Sequence, residues 1–152
     1  MITNISSTDL VINELSTLFK TIGQSTRLNI LLALGKDEAC VCHLENILGI
    51  RQAAISQHLM MLRKANIVET HRIGRNIFYS LVKPELFDLL IQVSHLLGLS
   101  ETDGLDLSTK PFPNCPCPQC NPGLDSEFSC SDKSSTINKK ELFTDLADAN
   151  QS

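Results

Sequence analysis

The stretch that decides the fold, residues 52–65, reads Gln-Ala-Ala-Ile-Ser-Gln-His-Leu-Met-Met-Leu-Arg-Lys-Ala. Apolar side chains recur in it at helical spacing, which predicts a helix with one face on a core and the other in solvent. The link Gly49-Ile50-Arg51 joins it to a shorter helical segment, Ala39–Leu48. A helix, a tight turn that contains glycine and a second helix form the pattern of a helix-turn-helix.

The segments around this pair complete a winged helix-turn-helix. Three further amphipathic helices are predicted from apolar periodicity and capping residues, at Thr8–Ile22, Thr26–Leu34 and Pro84–Gly98. Two short strands, Ile67–Arg72 and Asn76–Leu81, follow the helix-turn-helix, and a loop with Gly74 at its tip joins them as a hairpin. The predicted fold is therefore mainly α with a small β-hairpin, in the order α-α-α-α-β-β-α.

The composition changes near residue 100. The chain has 152 residues, enough for one domain with a substantial core and an additional segment. Residues 1–99 carry the winged-helix pattern, whereas residues 100–152 are rich in Ser, Thr, Asp, Pro and Lys. We expect this second segment to be a flexible, acidic, cysteine-rich C-terminal tail.

No stretch has the length and apolarity expected of a transmembrane helix or of a signal peptide. Asp9 and Glu14 interrupt the N-terminal region, so the cytoplasm is the expected compartment and no membrane partner is expected. The chain has six cysteines. In a reducing compartment such thiols are more often ligands or reactive groups than disulfide partners.

Charge is distributed unevenly along the chain. The net charge is −4 at pH 7, which by itself argues weakly against a nucleic-acid partner. Between Arg51 and Tyr79, however, there are five basic residues and a single acidic residue, Glu69. A local basic patch on an acidic chain can still contact phosphates, although an ordinary solvated face has the same composition.

Polar and basic side chains on the second helix of the pair and on the hairpin are candidates for reading DNA. Small polar groups in a recognition helix reach base edges and phosphates in the major groove, and an arginine on a projecting loop enters the minor groove. The alternative is that these side chains are only the solvated face of a surface helix and loop. Because a helix-turn-helix and a hairpin occur together, we favour DNA contact, through Gln52, Ser56, Gln57, His58, Arg63, Arg72 and Arg75.

Two thiols, Cys40 and Cys42, lie at the start of the first helix of the pair. Thiolates select soft ions such as Cd(II), Pb(II), Zn(II) and Cu(I), and by the same logic trivalent arsenic. Residues i and i+2 on a regular helix point about 200° apart, so the two thiols share an ion only if the helix start is distorted or extended. The alternative is that either thiol is a small buried hydrophobic group.

Three more thiols are clustered between prolines in the predicted tail, at Cys115, Cys117 and Cys120. Helix and sheet do not compete for a proline-spaced segment, and clustered thiols in a polar tail are more often ligands than packing groups. Either one of them completes a three-sulfur site with Cys40 and Cys42, or the three bind an ion by themselves. We do not include His43 among the predicted ligands, because a lone helical histidine is more often a packed or solvated group.

These motifs together resemble the ArsR/SmtB family of metal- and metalloid-responsive repressors, over about residues 14–97. Residues 38–44, Glu-Ala-Cys-Val-Cys-His-Leu, are similar to that family's Glu-Leu-Cys-Val-Cys-Asp-Leu box. Residues 54–59 and 62–68 match its recognition helix, and Gly74-Arg75 with residues 79–81 match its wing. Asn66 stands where the family usually has Gly, and Asn tolerates the left-handed conformation that stops the helix.

The resemblance implies a homodimeric repressor that binds operator palindromes upstream of resistance genes and is released by an inducer. It makes Cys40 and Cys42 inducer ligands and pairs the subunits through Thr8–Ile22 and Pro84–Gly98. Arsenite ranks first as the inducer, because it takes three thiolates and no nitrogen. Cd(II) and Pb(II) follow, and Zn(II) ranks last.

Two rival functions share parts of this pattern. A thiol-redox or persulfide sensor would use the same DNA-binding module, with cysteine pairs that oxidise instead of binding an ion. A metal-sequestering protein would bind no operator, and the basic window from Arg51 to Tyr79 argues against it. The sequence contains no nucleophile–base pair and no phosphate-binding loop, so we do not expect an enzyme.

Overall fold

Five helices and a three-stranded antiparallel sheet make up the part of the chain that the computed structural model describes, which is residues 6–99, 115 and 117–121. In chain order the elements are α1 (Ser7–Ile22), α2 (Ser25–Leu34), β1 (Glu38–Cys40), α3 (Val41–Leu48), α4 (Gln52–Lys64), β2 (Val68–Ile73), β3 (Asn76–Leu81) and α5 (Glu85–Leu96). The mainly α fold with a β-hairpin that the sequence predicts is confirmed.

Helices α2, α3 and α4 pack around a common apolar core. In α4 the side chains of Ile55, Leu59 and Leu62 recur at helical spacing and are fully buried. Leu31 of α2 and Leu44 of α3 are buried in the same core. Full burial of such a side chain contributes roughly 1.5–3 kcal/mol. The core therefore fixes α4 firmly against α3, as a helix-turn-helix requires.

The predicted helix start at Ala39 is wrong. Residues Glu38–Cys40 form strand β1, and α3 begins only at Val41. Strand β1 pairs antiparallel with β3, with Cys40 opposite Phe78, and the order of strands in the sheet is β1-β3-β2. Pairing with a strand far along the chain overrides the local helical pattern here, because strand formation depends strongly on tertiary context.

Strands β2 and β3 form the predicted hairpin, in which Ile73 lies opposite Asn76 and Gly74-Arg75 is the loop. Gly74 has a φ of 59°, the positive value that the first central position of such a two-residue turn requires. Just before β2, Asn66 has a φ of 56°. The left-handed residue predicted after the recognition helix is thus present.

Among the described residues, no helix has the length and apolar character needed to cross a bilayer. The division into residues 1–99 and 100–152 stays a prediction. Of the second segment, Cys115 and residues 117–121 are described, and their thiols pack with those of β1 and α3. Cys130 lies outside the described residues.

Candidate metal centre and nucleic-acid interface

Five cysteines from two distant parts of the sequence meet in one buried cluster. These are Cys40, Cys42, Cys115, Cys117 and Cys120, and they pack against Phe78. Each of them is 7% exposed or less, and none of these five forms a disulfide. The structure thus brings together all the residues that the sequence predicts as metal ligands, while their binding of an ion stays a prediction.

The junction of β1 and α3 brings Cys40 and Cys42 to the same cluster. Cys40 is the last residue of β1 and the N-cap of α3, with an extended backbone at φ −83° and ψ 164°. Cys42 follows in the first turn of α3. Because the pair does not lie on a regular helix, the angle of about 200° between helical positions i and i+2 does not separate the thiols. The extended helix start that a shared ion requires is present.

A hydrogen-bonded turn holds the other three thiols. The carbonyl oxygen of Cys117 accepts the backbone N–H groups of Cys120, at 3.1 Å, and of Asn121, at 3.0 Å. The side-chain amide of Asn121 donates to the carbonyl oxygens of Cys115, at 2.5 Å, and of Cys117, at 3.2 Å. The Asn121 amide thus joins Cys115 to Cys117, and the turn joins Cys117 to Cys120, so the three thiols reach a single cluster.

His43 belongs to this cluster, although sequence reasoning left it out. It lies in the first turn of α3, is 1% exposed, and places Nδ1 3.1 Å from Sγ of Cys120. The ligand atoms of His43 and the three tail cysteines all lie within 4.8 Å of one another. The signal that could have found it is its position beside Cys42, at the start of a helix that already carries thiols.

Cys115 connects the two groups of thiols. Its side chain is hydrogen-bonded with those of Cys117 and Cys40. These bonds, with Cys117 first and Cys40 next, and burial raise the pKa of the Cys115 thiol well above its usual range. A thiol loses its proton when it binds a metal ion, so binding of an ion at Cys115 would release that proton.

The donor set of this cluster fits a thiophilic ion. Five thiols and one imidazole are soft or borderline ligands, which suit zinc, cadmium and similar ions. Sulfur ligands of a tetrahedral zinc lie about 2.3 Å from the metal and hence roughly 3.8 Å from one another. The ligand atoms of His43 and the three tail cysteines already lie within 4.8 Å of one another. Small side-chain rotations that move these atoms by about an ångström would give the tetrahedral spacing.

The turn at residues 117–121 is also tied to the sheet. The side-chain amide of Gln119 donates to Oε1 of Glu38 in β1. Oε2 of the same carboxylate lies 3.0 Å from Nε2 of His71 on β2, and the His71 ring stacks on Phe78 at a centroid distance of 5.7 Å. The turn thereby contacts the base of the hairpin as well as α3.

One side chain joins the thiols to the next helix. Gln52, the first residue of α4, donates its amide to Sγ of Cys42 at 3.4 Å and to Oε2 of Glu45 at 2.7 Å. Asn46 donates to the carbonyl oxygen of Cys42 at 2.9 Å. The Cys42 sulfur is therefore linked to the first residue of α4 by a single hydrogen bond.

Most of the predicted DNA contacts lie on the surface of α4 and the hairpin. Ser56, Gln57 and Arg63 are exposed on α4, and His58 is half-buried there. Arg72 and Arg75 are exposed on the hairpin, where Arg72 donates from Nε to the carbonyl oxygen of Gly74 at 2.8 Å. Gln52 differs from the others because its half-buried amide is bonded to α3. All seven DNA contacts stay predictions.

Two helices carry apolar side chains that no other described part of the chain covers. On α1 these are Leu10, Val11, Ile12, Leu15 and Phe19. On α5 and directly after it they are Leu89, Val93, Leu96, Leu97 and Leu99. Phe19 is 56% exposed and Leu96 is 87% exposed. Large exposed apolar patches of this kind are typical of surfaces that bind another protein.

Comparison with known proteins gives concordant matches. A family model described as the bacterial regulatory protein, arsR family, matches residues 24–70. The transcriptional repressor SmtB homolog of Synechocystis sp. is 31% identical over 88 residues, which are 58% of this chain and 67% of the relative. The chain belongs to the arsR family. The cadmium resistance transcriptional regulatory protein CadC of Listeria innocua is 34% identical over 78 residues, which are 51% of this chain and 66% of the relative.

Solved structures of arsR-type regulators share this fold. Reduced HlyU from Vibrio cholerae superposes with a TM-score of 0.54 at 29% identity, covering 59% of this chain and 94% of the other. These relatives are transcriptional regulators, so this arsR-family chain is a DNA-binding transcriptional repressor with a winged helix-turn-helix and not an enzyme. The thiol cluster is compatible with the sensing of a thiophilic metal.

Proposed function

We propose that this repressor is released from its operator when a thiophilic metal or metalloid ion binds the cysteine cluster. Arsenite is the first candidate, Cd(II) and Pb(II) follow, and Zn(II) ranks last as an inducer. The observation that carries the proposal is the meeting of five buried thiols at the start of α3, the helix that supports α4. Arsenite binds three thiolates and no nitrogen, and the five cysteines of the cluster are enough to supply three thiolates.

Cys40, Cys42 and Cys115 are the residues that would hold the inducer. Cys40 and Cys42 converge through the extended start of α3, and the Cys115 thiol is hydrogen-bonded with Cys40. When bound, the ion supplies a three-way link between β1, α3 and the tail segment. Cys117 and Cys120 lie in the same cluster and are the remaining predicted ligands.

Gln52 transmits the change to α4. In the described state its amide bridges the Cys42 sulfur and the Glu45 carboxylate, so it fastens the first turn of α4 to α3. An ion that draws the Cys42 sulfur toward Cys40 and Cys115 changes the position of that sulfur relative to the Gln52 amide, and the bond between them changes with it. Release requires only that the inducer prefers the altered helix orientation over the DNA-bound one.

The DNA-bound state uses α4 and the hairpin. Ser56, Gln57 and His58 face the major groove, where small polar groups read base edges. Arg63 and Arg72 contact phosphates, and Arg75 enters the minor groove from the tip of the hairpin. Exposure of these side chains on one helix and one hairpin supports this arrangement.

A second copy of this chain covers the apolar faces of α1 and α5. Nine of their ten exposed apolar side chains lie on the segments predicted as the dimer interface, Thr8–Ile22 and Pro84–Gly98, and the tenth, Leu99, follows directly after the second segment. A symmetric dimer presents two α4 helices, which suits an operator palindrome. The repressor acts in the cytoplasm, where operator DNA and the incoming ion are both present, and the genes it controls confer resistance to that ion.

The relatives support metal sensing in particular. One is named for cadmium resistance and another is an SmtB homolog. The rival function, a thiol-redox or persulfide sensor, is favoured by the hydrogen bonding of Cys115 to two other thiols. Two thiols that are hydrogen-bonded to each other can form a disulfide with little rearrangement when a mild oxidant removes their electrons.

Binding of labelled operator DNA, followed by fluorescence anisotropy, tests the proposed function. The operator is first selected from random duplexes with the metal-free, reduced chain. We expect arsenite to release the DNA at the lowest concentration, Cd(II) and Pb(II) at higher ones, and a dithiol chelator to restore binding. Release by a mild oxidant alone, reversed by a reductant but not by the chelator, would instead favour the redox sensor.

A further inference from the structure

We propose that His43, Cys115, Cys117 and Cys120 form a second site, which holds a resident Zn(II) and shares only the Cys115 sulfur with the inducer site. Zn(II) at this site is a structural ion that fixes the tail turn against α3. The proposal goes beyond the proposed function, since the site can be loaded whether or not an inducer releases DNA.

The geometry of the four side chains carries the proposal. All four are buried, and their ligand atoms lie within 4.8 Å of one another. Nδ1 of His43 is 3.1 Å from Sγ of Cys120, a contact that lies close to the ligand-to-ligand spacing of a tetrahedral ion. Three sulfurs and one imidazole nitrogen are a ligand set found in structural zinc sites.

The local sequence has the spacing that such a site needs. Cys117 and Cys120 are separated by two residues, within the two-to-four-residue spacing of zinc-binding cysteine pairs. The turn between them is closed by the Cys120 N–H bond to the Cys117 carbonyl oxygen. Prolines flank Cys117 on both sides and limit the conformations that the loop must lose on binding.

Side chains around the ligands keep them oriented. Asn121 donates to the carbonyl oxygens of Cys115 and Cys117, and Gln119 donates to Glu38 of β1. Supporting contacts of this kind fix the orientation of ligands at metal sites. Three segments of the chain, β1, α3 and the tail turn, therefore converge on this one position.

This site differs from the inducer site because one of its ligands is the imidazole nitrogen of His43. Arsenite binds thiolates and leaves imidazole aside, whereas Zn(II) accepts imidazole and thiolate together. Cys40 and Cys42 stay outside the four-ligand set. Cys115 lies between the two sets through its bonds with Cys117 and Cys40, so loading of the zinc site presents its sulfur to the inducer pair.

Metal content and Co(II) spectroscopy of the full chain test the site. The metal-free, reduced protein is titrated with Zn(II), and the bound ion is counted per chain by atomic emission. Co(II) then replaces zinc, because tetrahedral Co(II) with thiolates has visible ligand-field bands and near-ultraviolet charge-transfer bands. We expect one tightly bound ion per chain and a spectrum of three thiolates with one nitrogen.

Substitutions at His43 give the decisive contrast. His43→Asn should weaken Co(II) and Zn(II) binding by at least about 100-fold, because losing even a supporting contact costs 10- to 100-fold. His43→Cys should retain the ion and shift the spectrum to that of four thiolates. His95→Asn, at an exposed histidine of α5, is the matched control and should leave the spectrum unchanged.

The inducer pair provides the second contrast. The double variant Cys40→Ser/Cys42→Ser should keep the tight Zn(II) and the Co(II) spectrum. If that variant loses the ion, or if His43→Asn keeps an unaltered Co(II) spectrum, the four-ligand site is wrong. Circular dichroism of each variant verifies its helical content, and His43→Cys keeps the test decisive if His43→Asn does not fold. Release of DNA by arsenite is measured separately, so either proposal can fail alone.

Discussion

The two thiol-bearing segments differ in what holds them in place. Cys40 and Cys42 lie at the end of a paired strand and the start of a helix, where backbone hydrogen bonds and the apolar core fix them. Cys115, Cys117 and Cys120 lie in a short turn that meets the domain through a few polar contacts, such as Gln119 with Glu38. The first pair is built into the fold, whereas the second group is attached to it.

This difference has an energetic consequence. Fixing the backbone costs roughly 1–2 kcal/mol for each ordered residue, and the tail turn buries no large apolar side chain to offset that cost. An ion bound by thiolates contributes on the order of 10 kcal/mol in zinc-finger peptides. We therefore expect the tail thiols to depend on a bound ion to stay beside Cys40 and Cys42, which the fold itself holds in place.

Serine substitution of the built-in pair should have the largest effect. In Cys40→Ser and in Cys42→Ser we expect operator binding to persist and release by arsenite to be abolished, since a hydroxyl is a poor ligand at neutral pH whereas a thiolate is a good one. Anisotropy of labelled operator against arsenite concentration measures this. Cys130→Ser, a cysteine outside the described residues, is the matched control. Wild-type release from both single variants would break the assignment of the switch to this pair.

Removal of the tail thiols Cys115, Cys117 and Cys120 should have a smaller effect on the release of DNA. Truncation after Ser108 should leave DNA affinity unchanged, because every predicted DNA contact belongs to α4 or the hairpin and none to the tail. It should raise the arsenite needed for half-release by about 10- to 100-fold, comparable to the loss of supporting contacts at a metal site. The same titration, with the count of bound ions per dimer, measures both quantities. Unchanged arsenite sensitivity would reduce the tail thiols to an accessory.

Loss of the hydrogen bond from Gln52 to Cys42 should reduce the effect of arsenite on operator affinity by a smaller amount. Coupling between an effector and a ligand is typically 5- to 150-fold, and Gln52→Ala removes one of its carriers. We expect the ratio of operator affinities without and with arsenite to fall by about 3- to 10-fold. Gln57→Ala, at an exposed neighbour on α4, is the control and should alter DNA affinity without altering that ratio. A lower affinity with an unchanged ratio in Gln52→Ala would make Gln52 a DNA contact only.

The smallest effect is expected at the hairpin, far from both thiol groups. Arg75→Ala should weaken operator binding and reduce the slope of log affinity against log salt by about 0.9, the value for one phosphate neutralised. Its sensitivity to arsenite should stay that of the unaltered chain. Affinities at several salt concentrations measure the slope, and an unaltered slope would exclude the Arg75 contact.

The parts that the sequence predicts well are those with a local signal. Periodicity places α4 within a residue of its observed end, and Gly74 marks the hairpin loop. Strand β1 was missed because its three residues are extended only through pairing with β3. His43 was missed for a similar reason, since a contact with Cys120 across 77 positions leaves no local pattern. The bonds of the Gln52 amide to α3 also leave no local pattern, because they depend on the angle between two helices, and its DNA contact stays a prediction.

We propose that the ion that releases DNA is held by Cys40, Cys42 and a thiolate of the tail segment. X-ray absorption at the arsenic edge, on the zinc-loaded chain with one equivalent of arsenite, counts the sulfur neighbours directly. We expect three sulfurs in the unaltered chain, and two sulfurs with one oxygen in Cys42→Ser. Three sulfurs around arsenic in Cys42→Ser would contradict this assignment, because arsenite would then be held without Cys42.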